Sequence, residues 1–124
     1  MNSIQSNHTF QSSNYKMGVS GYHGNGGDSI EWLGSSSSYT HNRMQFSTFD
    51  QDNDQWSGHC ASKSETFGGG AGWWNSCGYE NLNGHNYGNA TVSSKCMSWY
   101  KWGNKWECLK SITMAIRPAP KTEE

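Results

Sequence analysis

Three of the chain's four aspartates, Asp50, Asp52 and Asp54, crowd into "STFDQDNDQWSGHC" (47–60). Like charges at that spacing repel unless something neutralises them. Asp50-x-Asp52-x-Asp54-x-Trp56-x-Gly58 offers an oxygen at every second residue, and a looped backbone can aim such groups at one point. Hard cations such as Ca²⁺ take carboxylates, backbone carbonyls and water as ligands. An EF-hand also begins D-x-D-x-D, but its glycine and glutamate positions hold Gln55 and Ala61 here, and no helical pattern flanks the loop. The competing interpretation is an acidic turn with solvated carboxylates.

The cysteines stand at 60, 77, 96 and 108. The absence of C-x-x-C argues against structural zinc. An even number of widely spaced cysteines in a loop-rich chain suggests disulfides, with three pairings possible. Sequential pairing, Cys60–Cys77 and Cys96–Cys108, closes the shortest loops and is favoured. Asn7-His8-Thr9 and Asn89-Ala90-Thr91 match N-glycosylation acceptors, and with the cysteines they point to a secreted, extracellular protein. The five histidines are scattered, and no H-E-x-x-H, G-x-S-x-G or phosphate-binding glycine loop occurs. The His59-Cys60 neighbours are better explained by a disulfide, and no enzyme activity is expected.

The elements that must carry these groups are short. Hydrophobic residues make up only 32% of the 124, and mean hydropathy is −0.91, which alone leans toward disorder. Seven Trp, six Tyr and four Phe argue the other way, since each buried ring removes roughly 150–250 Å² from water. Six of the seven Trp lie between Trp56 and Trp106, which makes the second half the better-ordered one. Gly, Ser and Asn together supply 46 residues, and these types favour turns. The net charge of −1 without a basic run argues against nucleic acid. No apolar run approaches the roughly 20 residues of a membrane span, and "MNSIQSNHTF" lacks the features of a signal peptide.

Alternation predicts strands at Tyr15, Met17 and Val19, at "SIEWL" (29–33), at "RMQFSTF" (43–49) and at "SITMAIRP" (111–118). Residues 1–14 are patternless and expected to be loose. From 50 to about 98 glycine clusters and isolated aromatics replace periodicity, so a metal and a disulfide would have to support the region. Trp73-Trp74 could be a sugar-stacking platform but reads better as core. Trp99, Trp102 and Trp106 are expected to pack beside the last strand.

"MQFSTFDQDND", "GHCA", "GWWNSCGYENLNG" and "LKSITMAIRP" occur in that order, and with them the sequence resembles the C-terminal fibrinogen-related domain. That family includes fibrinogen globular domains, ficolins and tachylectins. The resemblance runs from about Tyr15 to Pro118. It implies an α+β, loop-rich, partial fibrinogen-like fold. Residues 15–49 would end a central sheet subdomain, 50–118 would form the calcium and ligand subdomain, and 119–124 would be a tail. The family's full unit is longer, with an N-terminal subdomain and its own disulfide, so the chain is expected to be truncated, with the central sheet's strands lacking partners and exposing an edge.

The resemblance also implies roles. Ca²⁺ would be held by the Asp52 and Asp54 side chains and the Trp56 and Gly58 carbonyls, with Asp50 ordering the loop. The family disulfide maps to Cys60–Cys77, and a cis peptide common in the family maps to Ser76–Cys77. The family's ligand pocket maps to Ser76, Cys77, Gly78, Ser93, Ser94 and Lys105. Acetyl-binding members carry His where Gly78 stands and aromatics around a funnel, so an acetyl pocket is not evident. Lys105 could meet a carboxylate, sulfate or sialic acid, or could be a solvated lysine. Cys96 and Cys108 replace the family's usual Gly and Ser, which suits an added disulfide. The function implied is a secreted, calcium-stabilised module recognising carbohydrate or microbial surface groups, as innate-immune lectins do. The alternatives are a protein- or receptor-binding module and a truncated fragment that binds nothing.

Overall fold

In a computed structural model, the structure describes residues 3–6, 11–31, 37–62, 69–87 and 92–118. Trp32, Asn7, Asn89 and the 119–124 tail lie outside these residues. Two small antiparallel pairs carry the regular structure. Strand β1 (Ser3–Ser6) pairs with β2 (Val19–His23), with an irregular register between Ser3 and Gln5. Strand β3 (Glu80–Asn81) pairs with β4 (Ser98–Trp99). Among the described residues there is no α-helix, only 3-10 turns at Gln11–Ser13 and Ser37–Tyr39. The helical part of the expected α+β class is therefore corrected. The abundant Gly, Ser and Asn bond locally or cost entropy in a helix, and no run of strong helix formers offsets them.

Five local expectations also change. The strand predicted from Tyr15 starts only at Val19, because Tyr15 sits in a turn at φ 54°. The N-terminal stretch expected to be loose contains β1. "SIEWL" begins as a turn, because the Asp28 carboxylate accepts the N–H groups of Ile30 and Glu31 at 3.0 and 2.9 Å. "RMQFSTF" is not a continuous strand: Arg43 sits at φ 67°, outside the extended region. It keeps two isolated bridges: Ser47 and Gly72 exchange backbone bonds of 2.8 and 3.0 Å, and Thr48 and Gln51 exchange bonds of 3.0 and 3.1 Å. "SITMAIRP" forms no strand and finds no ladder partner among the described residues; Ile116 is 91% exposed.

Two clusters hold most of the buried hydrophobic residues, with Cys96 and Cys108 buried outside them. Cys60, Ala61, Trp74 and Cys77 form one, with Trp56 against it. Met17, Val19 and Ile30 form the other, with Trp73 and Trp99 against it. Successive side chains on extended backbone point to opposite sides, and Trp73 and Trp74 accordingly serve different clusters. Their indole N–H groups donate to the Tyr15 and Gly70 carbonyls, both at 2.8 Å. Trp74 is buried and Trp73 is half-buried, each packed on its own cluster. Trp99 also packs inward and donates to the Gly27 carbonyl at 2.8 Å. Trp102 does not pack beside a last strand; it stands 52% exposed.

Candidate functional site

The acidic loop leaves the Ser47 bridge and runs through half-buried Asp54 to buried Cys60. Asp54 organises it. One carboxylate oxygen accepts the Trp56 N–H at 2.9 Å, and the other accepts the Cys60 N–H at 2.8 Å. Asp52 accepts the Asp54 N–H at 3.2 Å. Asp50 accepts the Thr48 hydroxyl at 2.6 Å, which suits a residue that orders the loop. Gly58 is needed where it stands: a Cβ there would lie 2.4 Å from the Trp56 ring.

Burial pushes the Asp54 carboxyl from 3.8 up to about 6; the N–H groups of Cys60 and Trp56 pull it down, and the Asp52 carboxylate pushes it further up. Among the described residues no three His, Cys, Asp or Glu side chains converge. The implied calcium ligand set has only two carboxylates, completed by the Trp56 and Gly58 carbonyls, and among the described residues no donor reaches those carbonyls. The donor chemistry, oxygen throughout, fits a hard cation.

The loop is joined to the turn at 75–78. The Gln55 N–H donates to the Asn75 carbonyl at 3.0 Å, and a disulfide links Cys60 to Cys77. A second disulfide links Cys96 to Cys108, so both sequential pairings are present. The Ser76–Cys77 peptide is not cis. Instead the chain reverses with Cys77 at φ 21° and Gly78 at φ 155°, the Asn75 N–H reaching the Cys77 carbonyl at 2.9 Å.

The expected pocket is only partly assembled. Beside Gly78 the space is filled by His41, whose ring atoms would lie 2.2 Å from any Cβ at position 78. His41 is fully buried. Its Nδ1 lies 2.8 Å from the Trp73 carbonyl and 3.3 Å from the Glu80 carboxylate, while its Nε2 accepts the Glu80 N–H at 3.2 Å. Ser76 is tied to the Ser38 carbonyl at 3.0 Å. The Ser93 N–H donates to the Trp106 carbonyl at 2.8 Å, and the Ser94 carbonyl accepts from Asn81 at 3.4 Å. Lys105 is exposed and pairs with Glu107 at 3.5 Å.

Between these positions runs a strip of rings that sequence reasoning missed. The β3–β4 pairing sets Tyr79 opposite Tyr100, whose N–H donates to the Tyr79 carbonyl at 2.9 Å. Their rings are 5.1 Å apart. Tyr39 meets Tyr79 edge-on at 5.1 Å, and Trp106 meets Tyr100 at 5.0 Å. Tyr39 is 40% exposed, and the other three are half-buried. Burial, and then the neighbouring Tyr39 and Tyr100, push the Tyr79 phenol above its usual 10.0. Tyr79, inside the strip, follows Gly78, and Trp106, at one end, follows Lys105. The only signal in the sequence was the aromatic count, because the four rings come from distant positions.

Fold and site define a small, doubly disulfide-linked, loop-built domain with an acidic loop braced against a tight turn. Residues 5–119 match the family described as fibrinogen beta and gamma chains, C-terminal globular domain, and the chain belongs to that family. Fibrinogen-like protein 1 of Mus musculus is 36% identical over 116 residues, covering 85% of this chain and 34% of that protein. The fibrinogen alpha chain of Mus musculus is 40% identical over 116 residues, 84% of this chain and 14% of that one. The chain thus spans about a third or less of the length of these curated relatives. The fibrinogen-like globe domain of human ANGPTL2 superposes with a TM-score of 0.67 at 32% identity, covering 87% of this chain and 45% of that one. Lamprey fibrin D-dimer, solved with the peptide Gly-His-Arg-Pro-amide, shares the fold with a TM-score of 0.68 at 23% identity, over 95% of this chain and 42% of that one.

Proposed function

We propose that the chain is a non-catalytic, extracellular recognition module that binds a protein partner through the Tyr39–Tyr79–Tyr100–Trp106 strip. The strip carries this reading. Tyr and Trp are enriched at interface centres, where they bring large area at low entropic cost. Four rings in edge or tilted contact, Tyr39 exposed and the other three half-buried, make a pre-organised anchor. Two disulfides in so short a chain support an oxidising compartment. Ca²⁺ would sit at Asp52, Asp54 and the Trp56 and Gly58 carbonyls. When bound, it would neutralise the two carboxylates and stiffen the loop that braces the 75–78 turn.

Carbohydrate recognition at the pocket implied by the resemblance has less support, because His41 fills the space beside Gly78. The test is surface plasmon resonance against a panel of purified receptor ectodomains in millimolar calcium. Binding should fall roughly tenfold or more in Tyr100→Ala, with the circular dichroism spectrum unchanged. Binding that ignores Tyr100→Ala sinks the reading. So does a glycan-array signal that disappears with the same substitution.

A further inference from the structure

Asparagine followed by glycine occurs twice, at Asn25-Gly26 and Asn83-Gly84. The dipeptide has a chemistry of its own. Glycine carries no side chain to shield its backbone nitrogen, and that nitrogen lies next to the asparagine's amide carbon. It can attack this carbon and close a succinimide ring. A carbon–nitrogen bond forms, and the side-chain amide leaves as ammonia, taking the glycine N–H proton. Solvent water then opens the ring at either of its carbonyls. One opening gives aspartate. The other gives isoaspartate, with the backbone rerouted through the side-chain carbon. Water is the single co-reactant, and no oxidant, reductant or enzyme is required. Both asparagines are exposed, so access to water does not separate them. What separates them is the backbone freedom that ring closure needs.

At Asn83 the fold holds every group that must move. The leaving group, the Asn83 amide nitrogen, donates to the Ala71 carbonyl at 2.9 Å. The attacking group, the Gly84 N–H, donates to the Asn81 carbonyl at 3.2 Å. The backbone is packed as well: a Cβ on Gly84 would lie 2.3 Å from the Cys96 carbonyl oxygen, and one on Gly70 would lie 2.3 Å from the Asn83 carbonyl oxygen. His85 is fixed in turn, its N–H on the Lys95 carbonyl at 2.9 Å. Ring closure there requires local opening of the turn. Asn25 stands at a bend just past β2 (Val19–His23). Gly24 at φ 142° and Gly27 at φ 79° flank the dipeptide with backbone that no side chain restricts. The chain is tied from Gly27 onward, where the Trp99 indole donates to the Gly27 carbonyl at 2.8 Å. Among the described residues the Asn25 side chain has no hydrogen-bond partner. Burial of Gly26 shields its nitrogen from solvent and not from the side chain attached one residue earlier. We propose that Asn25 is a site of spontaneous conversion to aspartate and isoaspartate in the folded chain, and that the fold protects Asn83. The converted form gains a negative charge, and isoaspartate lengthens the backbone between β2 and Gly27 by one carbon.

The full chain with both disulfides intact is incubated at physiological temperature in mildly alkaline buffer. Amide-to-acid conversion at each site is followed by peptide mapping with fragment-ion sequencing. A second sample is reduced and unfolded in denaturant. In the folded chain Asn25 should convert roughly tenfold or more faster than Asn83, since the Asn83 turn must first break two hydrogen bonds. Unfolding should accelerate Asn83 and bring the two rates close together. Isoaspartate, labelled with a protein isoaspartyl methyltransferase, should appear in the peptide that holds Asn25. It should vanish in Asn25→Gln, whose longer side chain would have to close a larger and slower ring. An unchanged circular dichroism spectrum shows that the variant folds. Equal rates in the folded chain, a faster Asn83, or a ratio that survives unfolding overturns the proposal; the last would assign the difference to the flanking sequence and not to the fold.

Discussion

The two disulfide-closed loops look alike on paper and differ in what surrounds them. Cys60–Cys77 spans 17 residues and Cys96–Cys108 spans 12, with the same Cα–Cα distance of 5.4 Å. Loop-closure entropy predicts about 3 kcal/mol for either. Their settings are unequal. The first lies in a buried cluster with Ala61 and Trp74, and the Cys60 N–H is bonded to Asp54. The second closes a segment whose Trp102, Gly103, Asn104 and Lys105 are exposed. Both bridges are buried, Cys96 fully so, but the first packs within a hydrophobic cluster while the second backs an exposed loop. A cross-link's worth therefore depends on the packing it holds as well as on the length of chain it closes.

The contrast can be broken most directly by removing each bridge. Cys60→Ala with Cys77→Ala is expected to cost about 3–5 kcal/mol or prevent folding, and Cys96→Ala with Cys108→Ala about 2–3 kcal/mol. Denaturant unfolding measures both, and equal losses would erase the distinction. Within the first region, Trp74→Ala should cost about 3–5 kcal/mol, while Trp102→Ala in the second should stay within about 0.5 kcal/mol; thermal melts check the pair. Calcium should sharpen the difference further. At a hundredfold excess over Kd it should add about 2.7 kcal/mol. Asp52→Ala with Asp54→Ala should abolish that gain, and an unchanged shift in Tm would place the cation elsewhere.

A smaller effect follows from Asp54, whose carboxyl is raised from 3.8 to about 6. A raised folded-state value means that the protonated form is the favoured one. In the metal-free chain this stability is fully present below about 3.8 and is lost as pH rises through about 6. Calcium competes with that proton, so the calcium-dependent gain in Tm should shrink as pH falls below about 6; calcium titrations across pH 5–7 check the sign. The smallest effect is expected at Lys105→Ala, within about 0.5 kcal/mol, because both partners of its ion pair face water.

What could be read from the sequence was whatever depends on neighbours along the chain. Alternate oxygens from Asp50 to Gly58, cysteine spacing and Trp73-Trp74 are local patterns, and the loop, the bridges and the paired tryptophans are where these patterns placed them. Features assembled from distant positions stayed hidden. Nothing near Gly78 announces that His41 will occupy its side-chain space, and Tyr39, Tyr79, Tyr100 and Trp106 have no common spacing. Alternation misled at Ile112, Met114 and Ile116, because a strand period specifies a face and cannot supply the neighbouring strand. Arg43 and Asp28 show the reverse case, in which one backbone angle or one side-chain acceptor overrides a strand-like run.

The tryptophan pair has a consequence for how the molecule comes apart. Each cluster has only three or four buried members, too few to persist alone against chain entropy. Because Trp73 and Trp74 are adjacent, neither cluster can release its indole without twisting the backbone that holds the other. Heat should therefore reveal a single cooperative unit: one calorimetric peak, with fluorescence and far-ultraviolet signals changing together. The dipeptide acts as a rivet through two thin plates, and its rigidity makes a loop-built chain behave as one body.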